Sequence, residues 1–259
     1  SGNFITGVWL MFQNNLLMAS AGAAGGFVPL GVNFDGTNDY MNRAAAWTGA
    51  SDSAASWTVV FWVNSNADGS EVEIHQGVAG CFDFLKRGTN KIEFLTYGPG
   101  CSGFRNRCTT TGTIASSDGW VCVMCSSNGS TNQIYFGDTD VTSTIAASTS
   151  TEDNTSNSTW GAPGNLGAAK WNGDLAELYV DIDNRTDFSV EANRRRFFSD
   201  TGTPVDLGDD GSEPSGSSPI CYLSVRKGGA ATDLLTNRGT GGNYTEGGSL
   251  TLSSTNPGD

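Results

Sequence analysis

Two carboxylates and the only histidine of the chain fall within five residues: Glu71, Glu73 and His75. On a strand, Glu71-Val72-Glu73 presents both carboxyls on one face, because strand side chains alternate. Retaining glycosidases need carboxyls about 5–5.5 Å apart, so this pair is the nearest approach to sugar-cleaving chemistry. Solvated acidic side chains are the other reading of the same residues. His75 follows closely enough to complete an acid–base pair, yet beside Gln76-Gly77 it reads first as a surface residue. A serine triad would require His75 itself, and neither a G-x-S-x-G string nor a phosphate-loop string occurs. The expectation is a protein that is not an enzyme.

Binding chemistry is better supplied. Sugar rings stack on exposed aromatic faces, and Trp47, Tyr97 and Trp160 sit beside Gly- or Ser-rich loops where such faces can be presented. The competing reading folds each of them back onto the body. Trp57, Phe61 and Phe94 lie in strand-like runs and belong to the core. Hard oxygen ligands suit calcium, and Asp209, Asp210 and Glu213 form an acidic loop that could hold it. Turn-forming aspartates that cap their own backbone are the alternative. Cys122 and Cys125 form a C-x-x-C, but on a strand they point to opposite faces, which is wrong for a zinc knuckle. The six cysteines read as buried thiols with one or two bridges, Cys101–Cys108 foremost.

The elements that position these residues are short strands. Val32–Asp35 and Asp39–Asn42 flank a turn and read as a hairpin-like pair. Ser56–Asn64 is the strongest strand, and Cys81–Lys86 with Lys91–Thr96 is a hairpin. Gly119–Cys125, Gln133–Asp138, Gly173–Asp181 and Ile220–Ser224 follow, with a last edge strand in the tail between Thr240 and Leu252. One helix is expected, with Ser189 as its N-cap, Glu191 in its first turn and Arg194–Arg196 at its end. Three arginines closing one helix read as a solvated face.

Composition agrees with a strand-rich chain. Of 259 residues, 35 are Gly and 7 are Pro, and charged residues are only 16%, too few for long solvated helices. The balance of 14 basic against 27 acidic residues, a charge of −13, argues against a nucleic-acid or anionic-membrane surface. The first 30 residues read as an arm: an apolar cluster of Trp9, Leu10, Phe12, Leu16 and Leu17, then the soft Ala/Gly stretch 19–26. With no basic residue before Arg43 and Gln13-Asn14-Asn15 interrupting the apolar run, this stretch reads as neither signal peptide nor membrane span. Such a cluster packs on the body or on a partner. The expected division is therefore an arm over 1–30 and one domain over 31–259.

Three strings carry a resemblance. Val32-Asn-Phe-Asp-Gly-Thr-Asn-Asp-Tyr-Met41, Trp57-Thr-Val-Val-Phe-Trp-Val63 and Trp171-Asn-Gly-Asp-Leu-Ala-Glu-Leu-Tyr-Val180, with the helix behind them, resemble concanavalin A-like, laminin-G-like jelly-roll domains over residues 30 to 200. The resemblance implies an all-β antiparallel sandwich with one short helix. It also makes Asp35 and Asp39 candidate calcium ligands, since such domains often carry one ion. The E-x-D-x-x-E string of the laminarinase-type members is missing. Through Trp9–Met18, the Phe34-Asp-Gly string, Ser189–Phe197 and Pro204–Gly208, the chain is similar to lectin-fold virion proteins of tailed bacteriophages. That similarity implies a virion-surface protein that binds host glycan or stabilises the particle, docks through its arm and forms a homo-oligomer. A polysaccharide-degrading hydrolase or lyase on the same fold is the alternative.

Overall fold

The computed structural model describes residues 27–49, 56–77, 82–98, 102–143, 157–182 and 184–259. The expected docking residues Trp9, Leu10, Phe12, Leu16 and Leu17 lie outside the described residues. In chain order the strands begin with β1 (Pro29–Leu30), β2 (Val32–Asp35), β3 (Tyr40–Arg43), β4 (Trp57–Ser65), β5 (Val72–Gly77) and β6 (Phe82–Lys86). Next come β7 (Ile92–Gly98), β8 (Ser102–Thr109), β9 (Val121–Ser127), β10 (Asn132–Phe136), β11 (Thr139–Asp140) and β12 (Ser158–Trp160). β13 (Asn172–Ile182) precedes helix α1 (Glu191–Arg194), and β14 (Cys221–Leu223), β15 (Val225–Arg226), β16 (Thr245–Gly247) and β17 (Thr251–Leu252) close the series.

Two antiparallel sheets face each other. One runs β11-β10-β9-β4-β13-β2-β17, with β14 added on β13; the other runs β16-β3-β12-β5-β6-β7-β8. Alternation along β4 explains why they adhere. Trp57, Val59, Phe61 and Val63 point into the space between the sheets, where they meet Phe82, Phe84 and Phe94 from the second sheet. Val60 and Trp62 point the other way, under a layer that contains Phe188, Phe197 and Leu207. The first sheet is thus covered on both faces, and burying rings of this size supplies most of the cohesion. This is the all-β, concanavalin A-like jelly roll that the strings implied.

Several expectations change on contact with the structure. β2 and β3 do not pair as a hairpin: β2 lies against β13 and β3 against β12, in different sheets. The turn between them, with Gly36 at φ 73°, is a corner that carries the chain from one sheet to the other. Ser189 is not the helix cap. Its amide and hydroxyl both bond the Asp187 carboxylate, and α1 is a single turn that begins after Val190 without a side-chain cap. Pro29–Leu30, within the stretch read as linker, pairs with β15. The three arginines do lie on a solvated face, where Arg194 and Arg195 pair with Asp138 and Arg196 donates to the Pro214 carbonyl. Cys108 is a free thiol bonded to the Ser143 carbonyl, which removes one end of the expected bridge; Cys101 lies outside the described residues. Cys122 and Cys125 do fall on opposite faces of β9. Among the described residues, no helix is long and apolar enough to cross a membrane.

Candidate functional site

The outer face of the second sheet is where function can sit, because its inner face is sealed in the core. Along β6, Phe82, Phe84 and Lys86 turn inward, so Asp83 and Leu85 turn outward; along β7, Glu93, Leu95 and Tyr97 do the same. β5 should alternate likewise, but a register shift between Glu73 and His75 interrupts it. Glu73 pairs with Leu85 and stays outside. His75 pairs with Phe84 and is swung into the core, and Gln76 emerges opposite Asp83.

The result is a cleft of about 390 Å³ lined by Glu71, Glu73, Gln76, Asp83, Leu85, Arg87, Leu95, Tyr97 and Asn165. Leu85 and Leu95 are buried and form an apolar floor, while Glu71 and Asn165 are exposed at the rim. Arg87 bridges two carboxylates, Glu71 at 2.6 Å and Glu93 more tightly still. Glu93 also accepts from Arg107 at 3.1 Å and Thr109 at 3.0 Å. Burial works against the Glu93 anion, but these bonds prevail and hold its carboxyl below the usual range.

Glu73 and Asp83 are treated differently. Burial, then the neighbouring Asp83 and Glu71, push the Glu73 carboxyl up to about 8 against the opposing charge of Arg87. Burial pushes Asp83 up to about 7, although a bond from Gln76 at 3.3 Å and the Gly77 amide favour its anion. Among the described residues, Oε2 of Glu73 and Oδ1 of Asp83 have no hydrogen-bond partner. Buried carboxyl oxygens of this kind are costly unless they hold protons or receive donors from a ligand.

Of the three aromatic residues expected to contact a ligand, Tyr97 lines the cleft. Trp160 and Trp47 do not. Trp160 is fully buried and Trp47 nearly so. Their indole N–H groups donate to the buried Tyr244 hydroxyl at 3.4 and 2.9 Å, and both rings pack on His75. Trp160 belongs to the core because β12 lies mid-sheet and faces inward; Trp47, in the loop after β3, is held there by its bond to Tyr244 and its stack on His75. His75 is likewise no surface residue. Its Nδ1 meets the Phe82 carbonyl at 3.0 Å and its Nε2 the Ser158 hydroxyl at 2.8 Å, and burial lowers its pKa to about 3, so the ring is neutral.

Glu71 and Glu73 do share the cleft, as their spacing implied, but Glu71 is tied up by Arg87. The uncommitted partner of Glu73 is Asp83, which the sequence reading missed along with Gln76, Arg87 and the leucine floor. Alternation within Phe82-Asp-Phe-Leu-Lys86 was the available signal; the shift in β5 left none.

The candidate calcium ligands are spread over two loops and serve as caps. Oδ1 of Asp35 accepts from the amides of Thr37, Asn38 and Asp39, and Asp39 accepts from the amides of Asp35 and Ser249. Asp210 accepts from Ser212 and Ser218, and Asp209 is exposed. Among the described residues, no three His, Cys, Asp or Glu side chains converge to hold a metal ion.

No protein-family model matches the chain, and no curated protein matches it. Among solved structures, a candidate carbohydrate-binding protein from Bacteroides ovatus aligns over 89% of this chain with a TM-score of 0.59 and 14% identity. The alignment covers 61% of that chain, so the present chain spans less than two thirds of its length. A SAP-like pentraxin from Limulus polyphemus aligns over 62% of this chain and 78% of its own, at a TM-score of 0.46 and 12% identity. Laminin G-like domains 4–5 of the mouse laminin α1 chain align over 62% of this chain and 44% of theirs, at 0.44 and 13%. The Bacteroides likeness shows a shared fold.

Proposed function

We propose that this chain is a non-enzymatic carbohydrate-binding domain, and that the cleft on the outer face of the second sheet holds the sugar. One observation carries the reading: an aromatic wall, Tyr97, stands over an apolar floor of Leu85 and Leu95, ringed by carboxyl and carboxamide groups. A pyranose needs this combination, a flat apolar surface for its C–H face and polar groups for its hydroxyls. The similarity of the strings at Trp9–Met18, around Phe34, at Ser189–Phe197 and at Pro204–Gly208 to phage lectin-fold proteins supports placing the domain on a virion surface, facing host glycan. The apolar cluster from Trp9 to Leu17 supports docking or subunit pairing by its sequence alone. A glycan array tests the reading, run with calcium and again with chelator, alongside Y97A. Selective binding lost in Y97A at unchanged melting temperature is expected. Silence on every glycan would end the carbohydrate reading and leave a particle-stabilising role.

A second reading has its own observation. Glu73 and Asp83 are adjacent carboxyls that keep protons near neutrality, as a general acid must. Release of reducing ends from a polysaccharide, abolished in both E73Q and D83N, would make the chain a glycoside hydrolase.

A further inference from the structure

We propose that the cleft recognises a sugar bearing a free amine, with the ammonium seated between the carboxyls of Glu73 and Asp83. The proposal rests on the carbohydrate reading above and names the class of sugar.

The argument begins with which charges remain to be satisfied. Among the described side chains, four carboxyls and two guanidinium groups stand on this face. Glu71 and Glu93 are spent on Arg87, and Glu93 also on Arg107. Arg87, which lines the cleft, is held by a carboxylate on either side. What remains are the oxygens of Glu73 and Asp83 that have no partner among the described residues. Asp83 is only 3% exposed and yet lines the cleft, so its carboxyl is shielded from bulk water while the cleft is empty. A buried acceptor without a donor is costly, more so when charged. A ligand cation entering the cleft would supply the missing donors.

The chemistry selects among cations. Two carboxyls are too few ligands for calcium, which takes six to eight oxygens. An ammonium group is satisfied by two or three acceptors, which is what Glu73, Asp83 and a rim group can give. A peptide lysine would bring a long flexible stem and leave the leucine floor and Tyr97 wall without a flat partner. A pyranose amine brings its own ring to that surface.

Protonation follows from the same geometry. Among the described residues, the charged groups acting on Glu73 are Glu71, Asp83 on β6, Arg87 just after it and Glu93 on β7. Tyr97 on β7 and Arg107 on β8 stand on the same face. Lys170 bridges the Glu73 backbone, but its charge acts on Asp35. Without ligand the two carboxyls keep protons near neutral pH. An ammonium stabilises their anions, so binding expels protons. Affinity then rises from acid pH towards neutrality and falls again once the sugar amine loses its own proton.

Calorimetry on the full chain tests this, comparing a glucosamine tetramer with an N-acetylglucosamine tetramer in two buffers of different ionisation heat. The amine form is expected to bind at least tenfold tighter and to release protons, and both effects are expected to vanish in D83N. E73Q serves the same purpose if D83N does not fold. Equal or tighter binding of the N-acetylated tetramer overturns the amine proposal and leaves the carbohydrate reading standing. Binding of neither tetramer, with other glycans bound on an array, has the same consequence. A lysine-rich peptide that binds as tightly as the amino sugar, or calcium alone that displaces it, also overturns the proposal.

Discussion

The hydroxyl of Tyr222 on β14 donates to Oε2 of Glu177 on β13 at 2.9 Å. Glu177 occupies the irregularity where β13 slips in register against β4 between Ala176 and Tyr179, with a left-handed φ of 50°. Before the slip β13 pairs with β2; beyond it, with β14. A carboxyl buried at the exchange of partner strands, bonded by Tyr222 and Ser224, holds the two halves of the strand to one cover.

That burial sets a pH dependence. Desolvation pushes Glu177 up to about 7, against the bonds from Ser224 and Tyr222 that favour its anion. The folded pKa is above the unfolded one, so the contribution is complete below about 4.5 and is lost as pH rises through 7. The gap from the ordinary 4.5 corresponds to roughly 3 kcal/mol. Glu73 and Asp83 act in the same direction, so the test is a difference: E177Q, whose side chain stays neutral, should lose less stability than wild type between pH 5 and 8 in urea unfolding. Identical slopes would show that Glu177 titrates normally.

Tryptophan and tyrosine substitutions should separate structure from binding. Trp160 is fully buried among His75, Phe61 and Tyr244, so W160A should cost about 3–5 kcal/mol. Y97A on the cleft wall should cost under ~1 kcal/mol and remove glycan binding. Thermal melts beside an array check this. A W160A protein as stable as wild type, or a Y97A protein that binds normally, contradicts the assignment of the two rings.

How far the sequence revealed this is clear from particular residues. The sandwich was legible because β4, β6 and β13 alternate strongly or are apolar throughout, and alternation needs no tertiary information. The inward turn of His75 was not, because it depends on one irregular residue in β5. Trp47 and Trp160 misled because loop proximity says nothing of direction; mid-sheet placement of β12 decides it for Trp160, and long-range contacts to His75 and Tyr244 decide it for Trp47. That Glu73 and Asp83 line one cleft depends on how β5 meets β6, which the irregularity in β5 conceals.

The thiols offer a check on the core. Burial raises all four described cysteines: Cys108 up to about 11, Cys221 up to about 12, and Cys122 and Cys125 higher. Thiolate is the reactive form, so none should react in the folded protein. At most two of the six cysteines should titrate with an aromatic disulfide reagent at neutral pH, and all six in denaturant under reducing pretreatment. Rapid reaction of three or more would show that β9 or β14 opens readily.

The corner between β2 and β3 makes the last prediction. Asp35 spends Oδ1 on three amides at 2.7, 3.0 and 3.3 Å, and Asp39 is clasped by two more. Desolvation opposes the Asp35 anion, but the amides of Asn38, Thr37 and Asp39 prevail and lower its pKa. The folded pKa is below the unfolded one, so this contribution exists above about 3.8 and is lost as pH falls. D35A should therefore destabilise by about 1–2 kcal/mol at pH 7 and by less at pH 3. An ion would have to strip these amides to coordinate there. A bound ion at ~100 times its Kd would add about 2.7 kcal/mol to stability. We expect millimolar calcium to leave the melting temperature where chelator leaves it; a rise of several degrees that D35A abolishes would restore calcium to this corner.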